Sequence, residues 1–330
     1  MTDFSVLDLV PVRQGGTVAE ALGNATRLAA HAEAIECKRF WVAEHHTMEG
    51  IAGGATSVVL AHIGNATNTI RIGSGGIMLP NHTPFQIAEQ FGTLDALFPG
   101  RIDLGLGRAP GAGPELQRAL RKDLHKASEY FPQDVVELRA LLTGDVDLPI
   151  TATPGLGSNV EFWMLGSSLF GAQLAAKLGM PYAFAAHFAP DHLDSALEVY
   201  RRDFQPSDAL EKPHVMVAMN VFAADTDEDA QTLASSQQQS FVALRSGTPG
   251  KLKPPIKDYT ATLPAPHRAM LSHLEQAAAV GTPAKVADTI EAFVKRTGAD
   301  EIILCGATYD PAARLRSLEL TLEACQTVAA

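Results

Sequence analysis

Apolar residues fall along this chain in two rhythms. Short β-rich runs alternate with longer stretches of helical periodicity, beginning with a strand over Phe4–Val10 and a helix from about Val18 to Glu36. Further strands are predicted at Arg39–Ala43, Ile70–Ile77, Ile102–Leu106, Phe162–Leu165, Tyr182–Ala185, Val215–Phe222 and Glu301–Cys305, with a helix between each and the next. Eight parallel strands with right-handed helical crossovers close into a barrel more naturally than into an open doubly wound sheet. The pattern therefore predicts an α/β fold, a (β/α)8 TIM barrel, with insertions after strands four and seven where the rhythm breaks. These run from Gly107 to about Ser128 and from Ser246 to about Val280. Long insertions in compact domains are often lids. The basic stretch RALRKDLHK in the first is expected to be a solvated helical face.

Composition narrows the class. A chain of 330 residues is long for a domain but ordinary for one α/β barrel, so residues 1–330 are expected to form a single domain. Hydrophobic residues make up 46% and aromatics 6%, which implies a core built mainly of Ala, Leu, Val and Ile. The net charge of −11 argues against nucleic acid and an anionic membrane as partners. The opening MTDFSVLDLV has no basic region before its apolar residues, and no apolar run reaches spanning length, so a cytoplasmic protein is expected. Cys37, Cys305 and Cys325 are widely spaced with no C-x-x-C pair, and read as reduced packing residues.

In a barrel of this kind, side chains at the C-terminal ends of the strands converge on one mouth. The second strand ends in Glu44-His45-His46, a carboxylate and two imidazoles that can bind protons, hydrogen bonds or a metal. The pair can equally cap the following loop or pack on the core. No other strand end offers an obvious third ligand at recognisable spacing, so no metal is expected. The third strand ends in GSGGIMLP, where Gly75 and Gly76 suit a bulge, a barrel-closing kink or backbone approach to a flat ligand. The fourth runs into GLGRAPG, which lacks G-x-G-x-x-G spacing; Arg108 within it suits a phosphate or a neighbouring carboxylate. The fifth is followed by Gly166-Ser167-Ser168 at a helix start, where hydroxyls and free amides make an anion site or a simple N-cap.

Taken in order, these segments resemble the bacterial luciferase-like, flavin-dependent oxidoreductases, of the single-subunit, non-luminescent monooxygenase type. The carrying residues are WVAEHH at 41–46, GSGGIMLPNHTP at 73–84, AEQFGTLDALFPGRIDLGLGR at 88–108, LGSS at 165–168 and VGTPAKVADTI at 280–290. The resemblance implies FMN at the barrel mouth, usually in a homodimer, with reduced flavin supplied by a separate NAD(P)H-dependent flavin reductase. It makes His45 the histidine near the reacting flavin and places Gly75-Gly76 where relatives have a non-proline cis peptide under the ring. Gly166, Arg108, Ser167 and Ser168 fall at the cofactor, with the latter three as phosphate-holding positions. Asp8, Glu44 and His187 are expected to line the pocket. Light-emitting members have cysteine where this chain has Gly107 and tryptophan where it has Ala186, so luminescence is not expected. Gly171 replaces a phosphate-binding hydroxyl of some relatives.

The reaction implied is a monooxygenation, in which reduced FMN and O2 oxygenate a small organic substrate. The cofactor carries the redox chemistry and the protein supplies orientation and a dry pocket. The alternatives are deazaflavin-dependent hydride transfer on the same scaffold, a flavin-binding protein without turnover, and a metal-dependent hydrolase using His45 and His46.

Overall fold

The computed structural model describes residues 2–109, 114–146 and 148–329. Nine parallel strands are present among them: β1 (Asp3–Asp8), β2 (Arg39–Val42), β3 (Arg71–Met78), β4 (Ile102–Gly107), β5 (Glu161–Gly166), β6 (Tyr182–Phe184), β7 (Val215–Ala223), β8 (Ala278–Gly281) and β9 (Glu301–Cys305). β1 through β7 pair in sequence order, and β9 joins β7 to β1, closing an eight-strand barrel. The helices are α1 (Val18–Ala34), α2 (Thr56–Gly64), α3 (Pro84–Leu97), α4 (Pro114–Leu120), α5 (Leu124–Glu129), α6 (Phe131–Thr143), α7 (Leu169–Leu178), α8 (Leu193–Asp203), α9 (Asp227–Arg245), α10 (Tyr259–Thr262), α11 (Ala265–Leu274), α12 (Pro283–Thr297) and α13 (Pro311–Ala329). None is long and apolar enough to cross a membrane.

All eight anticipated strands are found, with ends that shift for local reasons. β1 stops at Asp8 because Val10 turns to φ 53° just before Pro11. α1 starts on a Thr17–Glu20 capping box and stops before Glu36, which has φ 61°. β8 was not anticipated. It lies at the end of the second insertion and pairs with Asn220–Ala223 of β7, beyond the stretch of β7 that meets β9. Its four residues, Ala-Ala-Val-Gly, carry too little β-branched or alternating pattern to stand out.

The period of two along the strands sorts side chains between two cores. Phe40 and Val42 of β2 pack outward against the helices, whereas Trp41 points into the barrel with Leu7, Trp163, Met216 and Ile303. Trp41 and Trp163 meet edge to face at 5.3 Å and fill the middle of the barrel. Two such rings fit because the neighbouring inward position Gly73 has no side chain: a Cβ there would lie 2.9 Å from the Trp41 Nε1. The three cysteines are free, and burial pushes the thiols of Cys37 and Cys325 up to about 12 and about 11.

Both insertions sit over the mouth side. In the first, Pro110 and Gly111 lie outside the described residues. RALRKDLHK is largely solvated, with Arg118 and His125 highly exposed. Leu124 is buried, however, and the Lys122 ammonium donates to the His82 carbonyl, tying this insertion to the end of β3. The second insertion is stitched to the loop after β1 by Leu252, whose N–H donates to the Val12 carbonyl and whose carbonyl accepts from Gln14 N–H.

Candidate active site

The ends of β2 and β3 are locked together by Glu44. Its N–H donates to the Gly76 carbonyl at 3.4 Å, and its carboxylate accepts the Met78 N–H at 2.9 Å. The same carboxylate holds two imidazoles, His46 Nε2 at 2.5 Å and His82 Nε2 at 2.8 Å. Burial raises the Glu44 pKa, but the two histidines and the Met78 N–H outweigh it and lower the value, so the buried group is a carboxylate. Gly75 and Gly76 are joined by a cis peptide. A Cβ on Gly75 would come within 2.6 Å of Leu7 Cδ1, and one on Gly76 within 2.7 Å of the Gly105 carbonyl oxygen. Barrel packing alone therefore demands glycine at Gly76, which meets backbone, whereas at Gly75 the crowding comes from the Leu7 and Trp41 side chains.

Glu44 and His46 turn onto each other, and His45 between them has a different environment. Its Nδ1 is buried without a hydrogen-bond partner, and burial lowers its pKa, assisted by His46 and opposed by Glu44. His187, after β6, shares these properties. Its Nδ1 is also buried and unpartnered, and burial, followed by the nearby His45, brings its pKa down to about 4. Two neutral imidazoles thus sit near one another, each with an unused ring nitrogen. The backbone of His187 is held by Asn220, whose side-chain amide donates to the His187 carbonyl at 2.8 Å and in turn accepts from Gln237. Asn220 was not anticipated. As the one polar residue in Val-Met-Val-Ala-Met-Asn-Val-Phe-Ala, it left a visible signal.

Arg108 and the start of α7 come together as expected. The guanidinium lies 3.9 Å from the centroid of Phe170, in the first turn of α7. Ser168 is the N-cap, in extended conformation, with no side-chain cap hydrogen bond, and Ser167 precedes it. An exposed cation, two hydroxyls and unsatisfied helix amides make a donor set suited to a phosphate. Gly171 and Gly166 approach each other so closely that a Cβ on Gly171 would sit 3.3 Å from the Gly166 Cα, so tight strand–helix packing accompanies the missing hydroxyl.

Two expectations need correction. Asp8 does not face the mouth: the inward position on β1 is Leu7, and Asp8 points outward to an ion pair with Arg314 of α13 at 2.7 Å. It borders a cavity of about 310 Å³ between α1 and α13, lined also by Arg13 and Arg27. The expected lack of a third metal-type ligand also fails, because His82 joins Glu44 and His46, whereas His45 stays apart. His82 stands within the GSGGIMLPNHTP segment, but it follows the strand end by a short 3-10 turn, and its convergence on Glu44 depends on the β2–β3 pairing.

Comparison with known proteins agrees with this architecture. The family model for luciferase-like monooxygenases matches residues 2–301. The chain is 49% identical to the YvbT protein of Bacillus subtilis (strain 168), covering 97% of this chain and 95% of that one. It is 46% identical to a luciferase-like monooxygenase of Escherichia coli (strain K12), covering 98% of both. Among solved structures, that of apo-MsnO8 superposes with a TM-score of 0.87 at 32% identity over 99% of each chain. A closed parallel barrel and this match along nearly the whole sequence place the chain in the luciferase-like monooxygenase family.

Proposed function

We propose that the protein is a flavin-dependent monooxygenase that binds reduced FMN at the barrel mouth and oxygenates a small organic substrate. The observation that carries this reading is the pairing of a phosphate-type donor set, Arg108 with Ser167 and Ser168, with two neutral, unpartnered imidazoles, His45 and His187, at the same end of the barrel. A relative supports it: the N-acetyl-S-alkylcysteine monooxygenase of Bacillus subtilis (strain 168) is 35% identical over 75% of each chain. Bound there, reduced FMN would supply the electrons that activate O2.

The chain's own residues do the rest. Arg108 pairs with the phosphate, and the serine hydroxyls and α7 amides complete its hydrogen bonds. The Gly75-Gly76 backbone gives a flat surface without side chains. His45 offers a ring N–H or lone pair to the reacting face, in a pocket where burial keeps it neutral. The insertion tied through Lys122 and the one stitched through Leu252 exclude water. Reduced flavin comes from a separate NAD(P)H:flavin reductase, and the working unit is a homodimer.

The test is anaerobic titration with reduced FMN, followed by rapid mixing with O2. Tight binding of reduced FMN, with reoxidation of the bound flavin in two resolved phases, is the expected result. Preference for a deazaflavin, or reoxidation indistinguishable from that of free flavin, would overturn the reading.

A further inference from the structure

The cluster of Glu44, His46 and His82 takes no part in the flavin site proposed above. Both imidazoles direct Nε2 at the same carboxylate oxygen, and the three donor atoms lie within 4.8 Å of one another. The groups follow the ends of two neighbouring strands, and two of the three are anchored independently of the cluster. Glu44 is fixed by the Met78 N–H, and the backbone of His82 is fixed by Lys122 from the first insertion. The carboxylate is 1% exposed, whereas the histidine side chains are 23% and 25% exposed, so a small ion reaches the donors from solvent while the anionic ligand stays dry.

We infer that Glu44, His46 and His82 form a binding site for one divalent transition-metal ion, such as Zn(II) or Co(II), with the open fourth position filled by water. Two imidazole nitrogens and one carboxylate oxygen are the ligand chemistry of a borderline cation, not of Mg(II) or Ca(II), which select oxygen. Metal–ligand bonds of about 2.0–2.2 Å require the donors to part by a fraction of an ångström from their present hydrogen-bonded separations, which rotation of the two partly exposed imidazoles can supply. Each ring would present its Nε2 lone pair to the ion as the Nδ1–H tautomer. An ion here would cross-link the segments that follow β2 and β3 without using His45 or His187 as a ligand.

Full-length protein stripped with a chelator and titrated with Co(II) alone tests this directly. One equivalent should generate the visible bands of four-coordinate Co(II), and Zn(II) should abolish them. His82→Ala and His46→Ala, on separate strand ends, should each weaken binding by more than the 10–100-fold typical for loss of an outer-shell partner. His125→Ala, at a highly exposed histidine, should change nothing. Circular dichroism shows whether each variant is folded. The site is overturned if no stoichiometric bands form, if they form with octahedral weakness only, or if they survive in both histidine variants.

Discussion

The two ends of the barrel solve opposite problems with similar residues. At the N-terminal end, Arg39 is 2% exposed and donates to Asp103 at 2.8 Å and Glu301 at 2.9 Å, two carboxylates that are fully buried. Arg71 reaches the other Asp103 oxygen, and both tryptophan Nε1 atoms bind carboxylates of the same cluster, Trp41 to Asp103 and Trp163 to Glu161. Charge is matched by charge there. At the C-terminal mouth, Arg108 is exposed and stacks on Phe170, while His45 and His187 each keep a buried nitrogen without a partner. One end has matched nearly all its charges within the chain, with Glu301 Oε2 held only by ion pairs at 3.8 Å to Lys38 and His214, and the other has left neutral nitrogens available.

The largest effect should come from breaking the closed end. Arg39→Met removes the buried cation that Asp103 and Glu301 share, leaving Asp103 with Arg71 and Glu301 with Ser5 and Lys38, which destabilises by about 3–5 kcal/mol. Urea unfolding should show this loss, while the FMN affinity of the folded fraction stays unchanged. A variant that unfolds like the parent, or one whose FMN affinity falls along with its stability, would break the division between the ends.

Arg108→Ala is the counterpart at the mouth. The residue is exposed and its ring contact is with one half-buried phenylalanine, so stability should change by no more than about 0.5 kcal/mol. Loss of a charge-assisted bond to phosphate should weaken FMN by about 1.5–3 kcal/mol, roughly 10–100-fold. Riboflavin, which has no phosphate, should bind as before. Equal weakening of both ligands in a fluorescence-quenching titration would take Arg108 out of the phosphate role.

The same contrast explains what the sequence made legible. Strand identity and barrel closure follow from apolar periodicity, which is local, so the eight staves were readable while the alanine-rich β8 was not. Residues directly at strand ends, such as Glu44, His45 and Arg108, were also readable, because topology fixes where a strand end points. Asp8 misled because one residue of register decides between mouth and outer face, and Leu7 took the inward position. His82 and Asn220 owe their roles to groups brought in from distant parts of the chain, Glu44 after β2 for the one and the His187 carbonyl and Gln237 for the other, so no spacing along the chain encodes them. Gly75 and Gly76 carry a further lesson. At Gly76 the Gly105 carbonyl requires glycine without any ligand, whereas sequence alone left that packing reason level with the binding one.

His187 gives the smallest effect, and one with a definite sign. Burial, with His45 second, holds its folded-state pKa near 4, below the ordinary histidine value of 6.5. Between those values the unfolded chain takes up a proton that the native protein refuses, so stability rises with pH in this window and falls as acid is added. Above pH 6.5 both states are neutral there, and the residue contributes no pH dependence. A shift of this size would be worth about 2 kcal/mol at pH 5, and partial exposure of the ring brings it to about 1–2 kcal/mol. His187→Gln keeps a polar side chain without the titration, so its stability should decline less than the parent's from pH 6.5 to pH 5. Parallel decline in urea midpoints across that range, or an imidazole NMR titration of His187 near 6.5, would show that its ring meets water freely, and the mouth would then be less dry than its unpartnered nitrogens imply.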